Sequence, residues 1–143
     1  MIVKETVNEK DIRRVLCHPE IYDTISDDNA PHPDKFKIPF YGYQYIGGYV
    51  NSEIIAVMVY HGYRDGQKCH VQVLPEFRDE YAASFGEQSL QFKGNQPLYA
   101  EIPDLYKNVL DFSFKFGFKI IDTLKDDYIK NGINYNMNIL RLV

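Results

Sequence analysis

The segment HVQVLPEFRDEYAASFG, residues 70–86, changes from the alternating pattern of a strand to the pattern of a helix at its central proline. Apolar residues at helical spacing (Tyr81, Phe85 and Phe92) predict an amphipathic helix from Asp79 to about Lys93. The following segment PLYAEIP is short, apolar and bounded by prolines, as a buried strand is. A strand–helix–strand unit favours a parallel strand pair with a right-handed crossover.

The chain before this unit predicts one strand, two helices and then three strands in a row. The segment MIVKETV alternates as a strand, and Asn8 opens a helix in the manner of a capping residue. Pro19 begins a second helix, and a loop of turn residues follows over Ser26–Asp34. Two strands meet in a hairpin around Asn51-Ser52. The inward-facing residues of the helices are predicted to be Ile12, Val15 and Leu16, and then Ile21, Tyr22 and Ile25.

The chain after this unit predicts one more helix and a closing hairpin. A stripe at helical spacing (Leu105, Val109, Phe112 and Phe116) predicts a buried helix face that ends at Gly117. The segments FKIIDTL and NMNILRLV predict the last strands. The expected fold is therefore mixed α/β, with a central sheet of about seven strands and about four helices on its faces.

Length, composition and charge limit the classes of protein to which this chain can belong. The 143 residues fit one domain, residues 1–143, and 16 basic against 20 acidic residues give a net charge of −4. Charges form no blocks and no apolar run is long enough to span a bilayer, so we expect neither a nucleic-acid partner nor a membrane. Cys17 and Cys69 lack metal or redox spacing, so we expect no metal site and a cytoplasmic protein.

The strand-to-helix corner at residues 75–83 is a candidate anion site. The first amides of a helix lack intrahelical partners, and Arg78 adds a guanidinium that suits phosphate. Ala82 and Ala83 would let a ligand approach the backbone closely. These features favour a pyrophosphate-binding corner. Alternatively, Asp79 and Glu80 are ordinary partners of the helix dipole and require no ligand.

The segment VQVLPEFRDEYAA resembles motif A of the GNAT acetyltransferase superfamily, in which Arg/Gln-x-x-Gly-x-Gly/Ala wraps the pyrophosphate of acetyl-CoA. Arg78 matches the first position and Ala83 the last, whereas Tyr81 stands where the first glycine usually lies. NVLDFSFKFGFK resembles the family's later helix, and DDYIKNGINYNMNILRL resembles the closing hairpin of the branch that acetylates protein N-termini. The resemblance covers nearly the whole chain and implies that the parallel pair is splayed.

This resemblance implies that acetyl-CoA is the co-substrate and assigns residues to it. The pantetheine would lie against the backbone of Val71, Val73 and Leu74. The residues implied around the pyrophosphate are Arg78, Asp79, Glu80, Tyr81, Ala82 and Ala83, and Asn108 of the later helix is also assigned to the cofactor.

Acetyl transfer to an amine needs a base, and an acid for the departing thiolate. His70 and Glu101 are the candidate bases, since His70 has a suitable intrinsic pKa and a carboxylate is unusual in a buried strand. Alternatively, His70 is a plain strand residue that faces solvent. Ser113 occupies the position where the family often has its acid, a tyrosine, and Tyr106 is the candidate that replaces it. A half-buried structural tyrosine is the alternative for Tyr106.

Two functions are therefore compared. The first is an acetyl-CoA-dependent N-acyltransferase whose amine acceptor is a small molecule or a protein N-terminus. The acceptor would approach across the Asp23–Asp34 segment, whose acids could attract a cation or simply be solvated. The second is a GNAT-fold module without catalysis, which binds or assembles. Small diverged proteins of this kind occur in bacteriophage genomes, and the host cytoplasm would then be the location. A homodimer is compatible with either function.

Overall fold

The computed structural model describes residues 1–142, in which seven strands form one mixed sheet. The strands are β1 (Ile2–Glu5), β2 (Tyr43–Val50), β3 (Glu53–Tyr63), β4 (Gly66–Val73), β5 (Leu98–Pro103), β6 (Phe118–Lys130) and β7 (Ile133–Leu142). The helices are α1 (Glu9–Leu16), α2 (Pro19–Ile25), α3 (Arg78–Leu90) and α4 (Lys107–Lys115), with short 3-10 helices at Pro33–Lys35 and Pro75–Phe77. The strand order is β1-β2-β3-β4-β5-β7-β6. This confirms the predicted mixed sheet.

Local signals in the sequence account for most element boundaries. The side chain of Asn8 accepts a hydrogen bond from the Asp11 amide at 3.0 Å and so caps α1. Asn51 and Ser52 have φ of 51° and 67°, as the tight turn between β2 and β3 requires. Gly117 has φ of 95° and ends α4 as predicted.

The sheet separates two cores. Helices α1 and α2 cover one face, which we call the α1/α2 face, and α3 and α4 cover the other, the α3/α4 face. Large buried residues on the α1/α2 face include Ile12, Val15, Ile21, Val57 and Val59. Those on the α3/α4 face include Met58, Tyr60, Phe85, Ile102 and Leu140.

Strands β4 and β5 pair in parallel for a short distance and then separate. Their register contains Gln67 with Leu98 and Lys68 with Tyr99, after which β5 pairs with β7 and β4 pairs with β3. A Cβ on Gly66 would lie 2.0 Å from the carbonyl oxygen of Pro97, so only glycine allows the strands to approach this closely. The splayed parallel pair is therefore confirmed, with a closed end at Gly66 and an open end toward Val73.

Several boundaries and one helix face differ from the sequence predictions. Helix α3 ends at Leu90 instead of Lys93, because the chain turns before Gly94. The predicted stripe of α4 is only partly buried: Leu105 and Val109 are 38% and 45% exposed, Phe112 and Phe116 are half-buried, and the fully buried residues are Leu110 and Ser113. The helix begins only at Lys107, and its small residue Ser113 lies on the buried side.

Two further differences concern α2 and the last hairpin. Ile25 is 37% exposed at the end of α2, so it is less buried than predicted, whereas Ile21 and Tyr22 are buried. Strands β6 and β7 extend well beyond the predicted segments to the turn at Asn131-Gly132. Within residues 1–142, each helix is too short or too polar to cross a membrane.

Candidate active site

A row of three aromatic rings crosses β2, β3 and β4 on the α1/α2 face. The His61 ring stacks against Tyr43 at 4.8 Å between centroids and against His70 at 5.3 Å. The register pairs Tyr43 with His61 and His70 with Val59, which places the two histidines diagonally on neighbouring strands. Their Nε2 atoms are 3.1 Å apart. One ring therefore donates to the other.

The surroundings of His61 determine which ring donates. Its Nδ1 lies 3.1 Å from the carbonyl oxygen of Gly62, which can only accept, so Nδ1 carries the hydrogen. In the neutral ring Nε2 of His61 then accepts a hydrogen bond, and Nε2–H of His70 donates it. This arrangement leaves the lone pair on Nδ1 of His70. That atom is the one that can accept a proton.

Burial keeps both histidines neutral at neutral pH. Burial, together with the positive charges of Lys68 and His61, lowers the pKa of His70 to about 4, although Glu101 opposes this shift. Burial also lowers the pKa of His61. His70 is thus a neutral imidazole, the protonation state of a base.

Glu101 is engaged in an ion pair beside this row. Its carboxylate lies 3.0 Å from the ammonium of Lys68, and both side chains are largely buried. Burial raises the pKa of Glu101, but the hydrogen bond and charge of Lys68, with help from Tyr63, outweigh it and hold the pKa below its usual value. Glu101 is therefore an ionised, paired carboxylate that joins β4 to β5. It lies close enough to His70 to influence its pKa, as the sequence suggested for two neighbouring strands.

The open end of β4 presents backbone groups toward β5. Backbone groups alternate between the two edges of a strand, and the Gln67 amide bonds to Pro97 on the β5 edge at 2.9 Å. The groups of Cys69, Val71 and Val73 therefore point to the same edge. The pairing of Lys68 with Tyr99 uses the Cys69 amide, and beyond it the described residues of β5 provide no paired partner. The Leu74 amide instead bonds to Ile55 at 2.8 Å on the opposite edge. The free edge of β4 therefore begins at the Cys69 carbonyl and includes Val71.

The corner after β4 is more closed than the sequence suggested. The 3-10 turn Pro75–Phe77 runs directly into α3, and the amides of Phe77 and Arg78 already bond to Leu74 and Pro75. The Nε atom of Arg78 donates to the carbonyl of Val73 at 3.0 Å, which ties the exposed guanidinium to the end of β4.

The predicted loop residues lie inside a helix. Tyr81, Ala82 and Ala83 belong to α3, where amides bond to carbonyls four residues earlier. Free donors for an anion thus reduce to the amides of Asp79 and Glu80 and the outer nitrogens of Arg78. No side chain caps this helix end.

The candidates on and before α4 have contacts of their own. Ser113 is buried on the α3/α4 face, and its hydroxyl donates to the Leu110 carbonyl at 2.6 Å. The Tyr106 hydroxyl lies 3.3 Å from that of Tyr128 and 3.5 Å from the Asp23 carbonyl. Asn108 is exposed in the first turn of α4. None of these contacts involves His70 or Glu101.

A cavity of about 260 Å³ lies next to the histidine row on the α1/α2 face. Helix α2, the segment that follows it and strands β2 to β4 form its walls, and these walls include Tyr22, Phe36, Tyr45, His61, His70 and Gln72. We call this cavity the acceptor pocket. Its position places the neutral imidazole of His70 beside a half-open cavity.

The loop acids near this pocket have structural partners. The carboxylate of Asp28 accepts hydrogen bonds from the amides of Asn131 and Gly132 at 2.8 and 2.9 Å, and these bonds lower its pKa. Lys130 lies 3.3 Å from the carboxylate of Asp23. These acids hold the β6–β7 turn against the chain that follows α2.

Comparison with solved structures identifies the fold. An acetyltransferase of GNAT family from Streptococcus pneumoniae has a TM-score of 0.74 at 10% identity, covering 98% of this chain and 97% of that chain. An N-acetyltransferase from Staphylococcus aureus Mu50 has a TM-score of 0.71 at 16% identity, over 99% and 96% of the two chains. The ribosomal-protein-S18-alanine N-acetyltransferase from Escherichia coli has a TM-score of 0.72 at 13% identity, over 99% and 92%.

These structures confirm the predicted GNAT fold for this chain. No family model and no curated protein matches the sequence. All three of these solved structures are acetyltransferases. At these identities the likeness defines the fold.

Proposed function

We propose that this protein is an N-acyltransferase that moves an acetyl group from acetyl-CoA to an amine. One observation carries the proposal: His70, a neutral imidazole with a lone pair on Nδ1, borders the acceptor pocket. It lies on β4, whose edge toward β5 is free at the open end. A base, an acceptor site and a place for an extended ligand therefore occur on the same strand.

The free edge of β4 would bind the pantetheine arm. Its amide groups can pair with the Cys69 carbonyl and with the backbone groups of Val71 as an added strand would. The carbonyl of Val73 is already held by Arg78, and the backbone of Leu74 is used within the protein, so these two residues contribute less than the sequence suggested. The outer nitrogens of Arg78 and the amides of Asp79 and Glu80 would face the pyrophosphate.

The histidine row supplies a path for one proton. The amine nitrogen attacks the thioester carbon, a carbon–nitrogen bond forms, and Nδ1 of His70 takes the proton that the nitrogen loses. The carbon–sulfur bond then breaks, the thiolate leaves with the electron pair, and it receives the proton from His70. The charge on His70 is stabilised in the meantime by Glu101.

His61 acts in this scheme as a positioning residue. Its Nε2 accepts the hydrogen bond from His70, which fixes the tautomer that leaves the lone pair on Nδ1 of His70. Tyr43 stacks on the other side of His61 and holds its ring. Tyr106 and Ser113 remain predicted acids for the thiolate, but the proposed path does not need them.

A second function is favoured by the corner after β4. Tyr81, Ala82 and Ala83 are helical, and Arg78 is tied to Val73, so the corner offers an anion fewer donors than the motif implies. A module that binds acetyl-CoA weakly and does not transfer the acetyl group would fit this geometry.

Thermal unfolding with and without acetyl-CoA tests the first requirement. At a hundred times the dissociation constant, a bound ligand stabilises the folded state by about 2.7 kcal/mol, so the melting temperature should rise. Free pantetheine and adenosine diphosphate serve as partial ligands that report each half of the site. An unchanged melting temperature with acetyl-CoA would contradict both functions.

Release of CoA thiol in the presence of amines separates the two functions. An enzyme should release thiol in proportion to the amine consumed, and the acetylated amine should appear in equal amount. A rise in melting temperature without thiol release from any amine would favour the non-catalytic module.

A further inference from the structure

Aromatic and aliphatic side chains line the acceptor pocket, and its lining carries no formal charge. Among its lining residues, all of which lie in the described part of the chain, none is Asp, Glu, Lys or Arg. Leu16, Ile25 and Val59 contribute aliphatic surface, and Tyr22, Phe36 and Tyr45 contribute rings. The pocket therefore offers a ligand packing surface in place of ionic partners.

Most hydroxyl groups in the walls are already bound to the protein. The Tyr22 hydroxyl donates to the carbonyl of Pro31, the Tyr45 hydroxyl to that of Pro39, and the Ser26 hydroxyl to that of Tyr22. Burial also raises the pKa of Tyr22, and it raises that of Tyr45 to about 12, so both phenols stay uncharged. The rings thus present their apolar surface to the pocket.

Three carboxylates near the pocket, those of Glu101, Asp28 and Asp23, have partners within the protein. Lys68 and Glu101 form an ion pair beside His70. Asp28 is held by backbone amides of the β6–β7 turn, and Asp23 lies against Lys130. An ammonium ion that entered the pocket would lose its hydration without gaining a counter-ion, which is costly.

We infer that the acceptor is a small aromatic amine that is uncharged at neutral pH. Its ring would pack against the tyrosine and phenylalanine rings in stacked or edge-on arrangements. Its uncharged nitrogen would keep a lone pair for attack and would lie near Nδ1 of His70. The volume of about 260 Å³ is at the small end of ligand pockets, which favours a compact acceptor over a peptide.

This inference rests on the proposed function and uses the same bond changes. The lone pair of the aromatic nitrogen forms the new bond to the thioester carbon, and the carbon–sulfur bond breaks. One proton passes from nitrogen through His70 to the thiolate. The low pKa of His70 suits this acceptor, because a nitrogen of low basicity gives up its proton readily to a weak base.

A matched pair of amines tests the inference. Aniline and benzylamine have similar apolar bodies, but benzylamine is a cation at neutral pH. We expect kcat/KM for aniline to exceed that for benzylamine by about tenfold or more, since only benzylamine must lose its charge to enter. Spermidine and a short peptide with a free N-terminus should be poorer acceptors than aniline.

A charge placed in the pocket should weaken this preference. Gln72 lines the pocket, and Gln72→Glu adds a carboxylate with little change of shape, so the ratio of aniline to benzylamine should fall by about tenfold. Gln88→Glu makes the same change on exposed α3, across the sheet, and should leave the ratio unchanged.

The outcomes separate this inference from the proposed function. If benzylamine, spermidine or the peptide equals or exceeds aniline, the protein is an acyltransferase but the inferred acceptor class is wrong. The class is also wrong if acetyl-CoA raises the melting temperature and no aromatic amine is acetylated. If acetyl-CoA neither binds nor releases thiol with any amine, the proposed function fails and the inference falls with it.

Discussion

The two ends of the β4–β5 pair differ in how fully their polar groups are used. At the closed end, Gly66 lies against the Pro97 carbonyl and the Gln67 amide bonds to the same oxygen. The Tyr99 hydroxyl donates to Asp65 at 2.6 Å, and the guanidinium of Arg64 lies 5.8 Å from the Tyr99 ring. Backbone and side chains are both satisfied there.

At the open end, the same strand leaves its groups available. The Cys69 carbonyl and the backbone of Val71 face an edge without a strand partner, and His70 keeps a lone pair on Nδ1. The contacts at the closed end hold the two strands in place, so the opening exists without a ligand to force it. A gap that is already formed lowers the ordering cost of binding an extended molecule.

His70→Ala should have the largest effect at the open end. It removes the proposed base, and general-base catalysis contributes about 10²–10⁴-fold, so kcat/KM should fall by that factor. The rise in melting temperature with acetyl-CoA should persist, because the free edge of β4 remains. His32→Ala in the exposed loop before β2 is the control. Activity that survives in the His70 variant would mean that the base lies elsewhere.

Gly66→Ala should break the closed end. The new Cβ would lie 2.0 Å from a backbone oxygen, which cannot move as a side chain can, so we expect a loss of about 3 kcal/mol or more in the free energy of unfolding. Chemical denaturation measures this loss. Gly62→Ala is the matched control, since a Cβ there meets nothing within 4 Å. Equal stability of the two variants would show that the closed end does not hold the strands together.

The same contrast explains what the sequence could predict. The parallel pair followed from Pro75 and from the change of period on either side of it, which are local signals. His61 was missed because an unpaired residue, Ile55, forms a bulge in β3 and reverses the alternation that starts at Ile54. The bulge turns His61 toward the α1/α2 face, and it depends on pairing with β2.

Two other features also depended on contacts between distant segments. The corner after β4 looked open because its sequence does not show that the turn at Pro75–Phe77 continues into α3. The stripe through Leu105 and Val109 has helical spacing but faces solvent. Periodicity identifies a helix, whereas the face that it buries depends on where the helix packs.

Arg78→Ala should weaken the cofactor end of the opening. Its guanidinium is the cation expected to meet the pyrophosphate, and a charge-assisted hydrogen bond is worth about 1.5–3 kcal/mol, so the Kd for acetyl-CoA should rise by about tenfold or more. Calorimetric titration measures the change. Free pantetheine should bind the variant as it binds the natural protein, and a parallel loss for pantetheine would indicate a distorted strand instead.

His61→Phe should have a smaller effect on activity than loss of His70. The variant keeps the stacked ring between Tyr43 and His70 but removes the acceptor for His70 Nε2–H, so the wrong tautomer becomes available. We expect kcat to fall by about tenfold with little change in KM, and the pH profile to shift. His61→Asn, whose side-chain oxygen can accept the same hydrogen bond, should recover part of the rate. If the Phe variant and the natural protein have equal rates, only ring stacking matters and the hydrogen bond to His70 does not.

Lys68→Met should change the electrostatics between the closed and open ends without removing a proposed base. The positive charge of Lys68 lowers the pKa of both His70 and Glu101, so its removal should raise both values. Titration of both side chains by NMR would show the two pKa values rise together, from about 4 for His70. Lys125→Met on exposed β6 is the matched loss of charge and should leave both values in place. If the pKa of His70 stays low in the Lys68 variant, burial and His61 set it, and the ion pair serves only to join β4 to β5.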